Sequence, residues 1–84
     1  ILNIGYACSW IGQILQKENK SKDALYFLKF AQNCWNKTSP PRAKEIEISR
    51  MNVIADKVTK ESISKLSDWK IQSYCTNYIN NYIL

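Results

Sequence analysis

The 84-residue sequence has no histidine and few of the residues that metal sites and disulfide frameworks require. It has three cysteines, an odd number, at Cys8, Cys34 and Cys75. They are widely spaced and form no C-x-x-C pair. Zinc sites need clustered cysteine and histidine ligands, and disulfide frameworks use cysteines in dense, even-numbered sets. We therefore expect three free thiols in a reducing compartment, no metal ligands and no cofactor.

The groups that catalysis requires are also scarce. No glycine-rich phosphate loop is present, and the absence of histidine removes the commonest general base. Glu45 and Glu47 are two residues apart, which places them on different faces of a helix. Cys34 could act as a nucleophile only with a base that the sequence does not supply. We expect no catalytic residues and interpret the chain as non-enzymatic.

Long apolar runs and blocks of like charge are missing as well. No stretch approaches the roughly 20 apolar residues that span a bilayer, and the first residues lack the basic start of a signal peptide. We expect an intracellular chain, cytoplasmic or nuclear, with no membrane span. The net charge of +5 leaves a basic helical nucleic-acid-binding module as an alternative function, with phosphate contacts from Lys57, Lys60, Lys65 and Lys70.

What the sequence does contain is helical periodicity. Apolar residues recur at i, i+3, i+4 and i+7 over two stretches, which predicts helices over 3–18 and 22–36. Asn19 tolerates the left-handed conformation after the first helix, and Ser21 is a suitable N-cap for the second. Because the link is short, the two helices form an antiparallel hairpin. The predicted inward residues are Ile4, Ala7, Cys8, Ile11, Ile14 and Leu15 in the first helix, and Ala24, Leu25, Leu28, Ala31, Cys34 and Trp35 in the second.

The second half of the chain has weaker boundaries. Pro40 and Pro41 end the hairpin and suit the first turn of a third helix. No glycine or proline follows, so two predictions stay open: helices over 41–58 and 62–82 with a turn at 59–62, or one continuous helix. We expect four apolar residues of this segment to face inward, namely Ile46, Met51, Ile54 and Val58.

These elements predict an all-α fold, either a right-handed helical stack or a small bundle, over a single helical domain spanning 1–84. Both ends of the sequence are apolar, and a domain of this size buries only about 60% of its unfolded surface. We therefore expect a fragment of a larger helical-repeat protein.

Gly12 lies in the middle of the first predicted helix, where glycine costs about 1 kcal/mol relative to alanine. Set beside Ala24 and Ala31, it is better interpreted as the point where two helix backbones approach closely. On that interpretation Gly12→Leu destabilises the protein strongly, whereas Gly12→Ala has a mild effect.

The same residues carry a resemblance to a known family. Ile11-Gly12, Ala24, Leu28 and Ala31 match the small and large positions of the tetratricopeptide repeat, and residues 5–36 resemble one such helix–turn–helix unit. Several family positions are occupied by other residue types, namely Cys8, Leu15, Asn19, Ser21 and Asn36. The stretch around Tyr26 is also similar, more weakly, to the three-helix MIT domain, which binds amphipathic helices.

The tetratricopeptide resemblance implies that the first helix lines a concave surface for a partner. Carried over by position, the groove-facing residues are Tyr6, Ser9, Gln13 and Gln16. Ser9 and Gln13 stand where the family's carboxylate clamp has lysine and asparagine, so a clamp for C-terminal peptides is not expected. Trp10 lies off the apolar line and is the best candidate for an exposed anchor. We predict a protein-binding, scaffolding module or complex subunit that takes a peptide, an amphipathic helix or neighbouring helical repeats.

Overall fold

The computed structural model describes the backbone of residues 2–84 and the side chains of residues 4–84. It contains α1 (Leu2–Lys17), α2 (Ser21–Trp35), α3 (Pro40–Met51), α4 (Lys57–Ser64) and α5 (Asp68–Tyr78), and a π-helical turn over Ile79–Ile83 continues α5. The part of the chain that the structure describes contains no strand. The predicted all-α class is confirmed, in the form of a small bundle.

The hairpin of α1 and α2 is present at nearly the predicted bounds. Asn19 adopts a positive φ of 64°, as the left-handed end of α1 requires, and the N–H of Lys20 donates to the Leu15 carbonyl at 2.9 Å. Ser21 is the first residue of α2 and not its N-cap; the cap position is Lys20, and no side chain accepts a hydrogen bond there. The short turn therefore rests on backbone bonds.

Helix α2 is the centre of the bundle, because α1, α3, α4 and α5 all pack against it. Its apolar residues cover most of its circumference, which is typical of a helix buried on several sides. The buried residues of α2 are Ala24, Leu25, Phe27, Leu28, Ala31, Gln32 and Trp35. The surrounding elements complete the core with Cys8, Leu15, Ala43, Ile46, Val53, Ile63, Ile71 and Cys75.

The face that α1 turns toward α2 differs from the predicted one. The buried positions are Gly5, Cys8, Gly12 and Leu15, and Ile11 is half-buried. Three residues predicted to face inward are exposed instead, namely Ile4, Ala7 and Ile14. The physical reason is that both glycines lie at the contact with α2, which rotates the buried stripe away from the aliphatic residues.

Close approach at the two glycines is visible in the geometry. A Cβ atom at Gly12 would lie 2.8 Å from Cγ of Leu28 and 3.4 Å from its backbone nitrogen. A Cβ atom at Gly5 would lie 2.8 Å from Cε2 of Trp35. The predicted contact role of Gly12 is confirmed. The expectation that Gly12→Ala is mild is revised, since Leu28 is fully buried and has little room to move.

Neither prediction for residues 41–82 is correct, because this segment forms three helices. Helix α3 ends at Met51. The Asp56 carboxylate then caps α4 by accepting the Thr59 N–H at 2.7 Å, and the Ser67 hydroxyl caps α5 by accepting the Lys70 N–H at 3.3 Å. The turn predicted at 59–62 lies inside α4. Side-chain caps of this kind begin a helix without any glycine or proline nearby.

The inward residues of this segment are corrected accordingly. Ile46 is buried, but Met51 and Val58 are exposed, and Ile54 is 88% exposed. Val53 is buried in their place. Because the chain leaves helical geometry after Met51, the 3.6-residue period no longer determines which side chain faces the core.

Candidate partner-binding groove

Helices α1 and α3 pack on the same central helix and leave an open groove between them. Its larger cleft, about 710 Å³, is lined by Gln13, Gln16, Lys17, Asn19, Ser21, Ser49, Asn52 and Ile54. A smaller cleft, about 170 Å³, follows along the same two helices and is lined by Tyr6, Ser9, Trp10, Trp35, Arg42, Glu45 and Ile46. We call the two clefts together the α1–α3 groove. All five residues predicted from the sequence to contact a partner line it.

One end of the groove is built from aromatic rings and an arginine. The Tyr6 ring meets the Trp35 ring edge-on, with centroids 5.2 Å apart. The Arg42 guanidinium lies 5.0 Å from the Tyr6 centroid and 5.4 Å from the Trp35 centroid. Cation–π contacts of this kind contribute about 0.5–1 kcal/mol at exposed sites, so they hold Arg42 at the groove wall. Gly5 makes room for the Trp35 ring from below.

The other end is polar and mostly uncharged. Four side-chain amides line it, from Gln13, Gln16, Asn19 and Asn52, and Lys17 is its one charged lining residue. The hydroxyl of Ser49 donates to the Glu45 carbonyl at 3.2 Å, so it is already satisfied within α3. Each amide offers a donor and an acceptor, which matches the hydrogen-bonding needs of a polypeptide backbone.

Trp10 forms the rim of the groove. Its side chain is 69% exposed, and it also borders a shallow surface pocket with Ile14 and Lys17. Exposure of Trp10 agrees with the sequence-based expectation. Trp69 is also exposed, at 72%, but it lies on α5 and does not line the groove. Trp35 belongs to the core.

The residues of α3 that line the groove were not predicted from the sequence. Arg42, Glu45, Ser49 and Asn52 recur at i, i+3, i+7 and i+10, and residues at that spacing share one face of a helix. This signal was available in the sequence. It could not be assigned to the same groove as α1, because only the packing of both helices on α2 brings the two faces together.

Two of the four lysines that were predicted to contact nucleic-acid phosphates interact with other groups of the protein. Nζ of Lys57 lies 3.9 Å from a Glu61 carboxylate oxygen, and Nζ of Lys60 donates to the Met51 carbonyl at 2.8 Å. Lys65 and Lys70 are exposed on the C-cap of α4 and on α5. Two of the four cations are thus engaged within the protein.

The three cysteines are free thiols, with Cys8 and Cys75 buried and Cys34 half-buried. Burial raises the pKa of Cys8 from 9.0 to about 11, and it also raises the pKa of Cys34 and Cys75. A thiol with a raised pKa is protonated at neutral pH and is a poor nucleophile. Within residues 4–84, no group of three His, Cys, Asp or Glu side chains could hold a metal ion.

Comparison with known proteins identifies no relative: no protein-family model matches the chain, and no curated protein or solved structure is similar to it. The tetratricopeptide and MIT resemblances therefore stay predictions. Among the described helices, none is both long enough and apolar enough to cross a bilayer.

Proposed function

We propose that this chain is a non-catalytic protein-interaction module whose α1–α3 groove binds a partner peptide or helix. This proposal is supported by two independent features that occur in the same groove. The residues that the tetratricopeptide resemblance assigns to a partner, Tyr6, Ser9, Gln13 and Gln16, all line a single groove. A highly exposed tryptophan, Trp10, stands at its rim.

The chemistry of the groove suits recognition better than catalysis. Its lining is mostly uncharged, with aromatic rings at one end and amides at the other. Tryptophan, tyrosine and arginine are the residues most enriched among interface hot spots, and Tyr6, Trp10 and Arg42 are grouped here. Three free thiols are consistent with the reducing conditions of the cytoplasm or nucleus.

The partner can be captured by site-specific crosslinking in the native host. A photoreactive amino acid at Gln13 lies in the groove, and one at Gln72 lies on the exposed surface of α5 outside it. We expect a covalent adduct from Gln13 and none from Gln72, and mass spectrometry identifies the crosslinked segment. That segment, made as a peptide, then serves as the ligand for affinity measurements.

Trp10→Ala and Trp69→Ala form a matched pair for this measurement, since both tryptophans are about equally exposed. Loss of a hot-spot tryptophan costs about 2 kcal/mol or more, or at least about 30-fold in Kd. We expect that loss for Trp10→Ala and no change for Trp69→Ala in isothermal titration calorimetry. Equal effects of the two substitutions would contradict the groove assignment.

A further inference from the structure

The charges of the α1–α3 groove are not balanced. Its charged lining residues are Lys17, Arg42 and Glu45. Among the described residues, no carboxylate lies within 4.0 Å of Arg42, although Glu45 is one helical turn away. The Arg42 guanidinium instead rests on the Tyr6 and Trp35 rings. The groove therefore presents an oriented cation that has no anionic partner among residues 4–84.

An arginine held on aromatic rings is prepared to receive a carboxylate. The planar guanidinium pairs with a carboxylate through two parallel hydrogen bonds. Because the rings already restrict the Arg42 side chain, less side-chain entropy is lost when this pair forms. Lys17 supplies a second cation at the opposite end of the groove. The net charge of +5 also attracts acidic molecules over a longer range.

The length of the groove limits what can connect the two cations. From Tyr6 to Lys17 helix α1 rises by about 16 Å, which corresponds to about five residues of extended chain. Between these ends, the amides of Gln13, Gln16 and Asn52 can each donate to and accept from a peptide backbone. Trp10, on the rim, can cover an apolar side chain.

We infer that the α1–α3 groove binds an extended acidic peptide segment of about five residues. One carboxylate pairs with Arg42, a second lies near Lys17, and the backbone between them bonds to the groove amides. This inference rests on the proposed function and adds the chemistry of the partner. The paired carboxylates belong to side chains, so a free C-terminus is not required.

The test uses a library of random twelve-residue peptides, each displayed with its C-terminus joined to the carrier, selected on the immobilised 84-residue chain. We expect the enriched peptides to contain an excess of Asp and Glu over Lys and Arg relative to the starting library. Enriched peptides are then synthesised with both ends blocked, and their Kd values are measured by fluorescence anisotropy.

Three substitutions on α3 separate groove recognition from net charge. Arg42→Gln and Lys44→Gln remove the same charge, but Lys44 is exposed outside the groove lining. We expect Arg42→Gln to weaken binding by at least about tenfold, and Lys44→Gln by less than about twofold. Glu45→Gln removes the carboxylate that lines the groove, and we expect it to tighten binding because an acidic peptide is then repelled less. Circular dichroism shows whether each variant keeps its helical fold.

The outcomes distinguish the two proposals. Enrichment of neutral or basic peptides that lose affinity on Trp10→Ala would overturn the acidic preference and support the groove. Acidic peptides that respond equally to Arg42→Gln and Lys44→Gln would show attraction by net charge alone and overturn the assignment of Arg42. If no peptide is enriched, the inference is overturned, and crosslinking from Gln13 tests the groove separately. If enriched peptides bind Trp10→Ala unchanged, both the inference and the proposed groove are contradicted.

Discussion

At the scale of single residues, the two glycines of α1 set the distance between α1 and α2. Gly12 faces Leu28 and Gly5 faces Trp35, and in each case an added Cβ atom would lie 2.8 Å from a side-chain atom of a buried residue. The loss of helix propensity, about 1 kcal/mol per glycine, is offset because the helices pack at a distance that no larger residue allows.

The first prediction concerns Gly12→Ala. Insertion of a methyl group into a packed contact costs about 1–3 kcal/mol, and the gain in helix propensity is about 1 kcal/mol. Because the added Cβ atom would lie 2.8 Å from Cγ of Leu28, the cost lies in the upper part of that range, about 2–3 kcal/mol. We therefore expect a net destabilisation of about 1–2 kcal/mol, and more than about 3 kcal/mol for Gly12→Leu. Urea unfolding followed by circular dichroism measures both free energies of unfolding.

Gln13→Ala is the matched control, because Gln13 is exposed on the same helix and its replacement should leave stability within about 0.5 kcal/mol. The contact itself is tested by adding Leu28→Ala to Gly12→Ala. A double variant that loses less stability than the sum of the two single losses shows that the residues interact. Full stability of Gly12→Ala would contradict the close contact.

At the scale of elements, the ends of the helices in the second half depend on side-chain caps. Asp56 begins α4 through bonds from the Thr59 N–H and hydroxyl, and these bonds lower the pKa of the Asp56 carboxyl. Ser67 begins α5 in the same way. Ser39 occupies the corresponding position before α3, but its side chain accepts no capping bond. Asp56 and Ser67 therefore cap their helices with a side-chain hydrogen bond, whereas α3 begins without one.

The second prediction follows from this difference. Ser67→Ala removes an N-cap hydrogen bond and should destabilise the protein by about 1 kcal/mol. Ser39→Ala removes no such bond, and Pro40 and Pro41 already favour the first turn of α3, so its effect should lie within about 0.5 kcal/mol. Thermal unfolding of the two variants compares them directly; a larger loss for Ser39→Ala than for Ser67→Ala would refute the assignment of the caps.

At the scale of the whole molecule, the described helices α1, α3, α4 and α5 pack around α2 and enclose one core. The radius of gyration is 11.6 Å, close to the value of about 12 Å expected for a compact domain of this length. The core contains two of the three thiols, Cys8 and Cys75, and both are protonated when buried. Folding is therefore linked to the ionisation of these groups.

The third prediction is a loss of stability at alkaline pH. Above pH 9.0 the Cys8 thiol ionises in the unfolded chain, whereas in the folded protein it keeps its proton up to about pH 11. The unfolded state thus binds fewer protons in this interval, and the free energy of unfolding falls as pH rises. The contribution of Cys8 is complete below pH 9.0 and is lost by about pH 11. Urea unfolding at pH 7, 9 and 10 measures the slope.

The control compares slopes and not absolute stabilities. Cys8→Ala creates a small cavity at every pH, so its effect on the slope isolates the ionisation of the thiol. We expect a shallower decline above pH 9 for Cys8→Ala than for the unsubstituted chain. Identical slopes would show that Cys8 is not linked to folding.

The sequence by itself determined the all-α class, the α1–α2 hairpin, the turn at Asn19 and the contact role of Gly12. These features depend on local chemistry, since apolar periodicity, a left-handed turn residue and a small residue in a helix act within a few residues of chain. The assignment of Tyr6, Ser9 and Gln13 to one face of α1 comes from the tetratricopeptide resemblance and not from these local rules. Exposure of Trp10 followed from its distance to the apolar stripe.

Only the tertiary structure decided the division of residues 41–82 into three helices and the burial of Val53. Competing caps at several positions have similar local free energies, so packing on α2 selects among them. The groove was decided in the same way, because Arg42 acquires its aromatic neighbours from other helices. The surroundings of Arg42 on α3 depend on Tyr6 of α1 and Trp35 of α2, and these residues are too distant in sequence for local rules to bring them together.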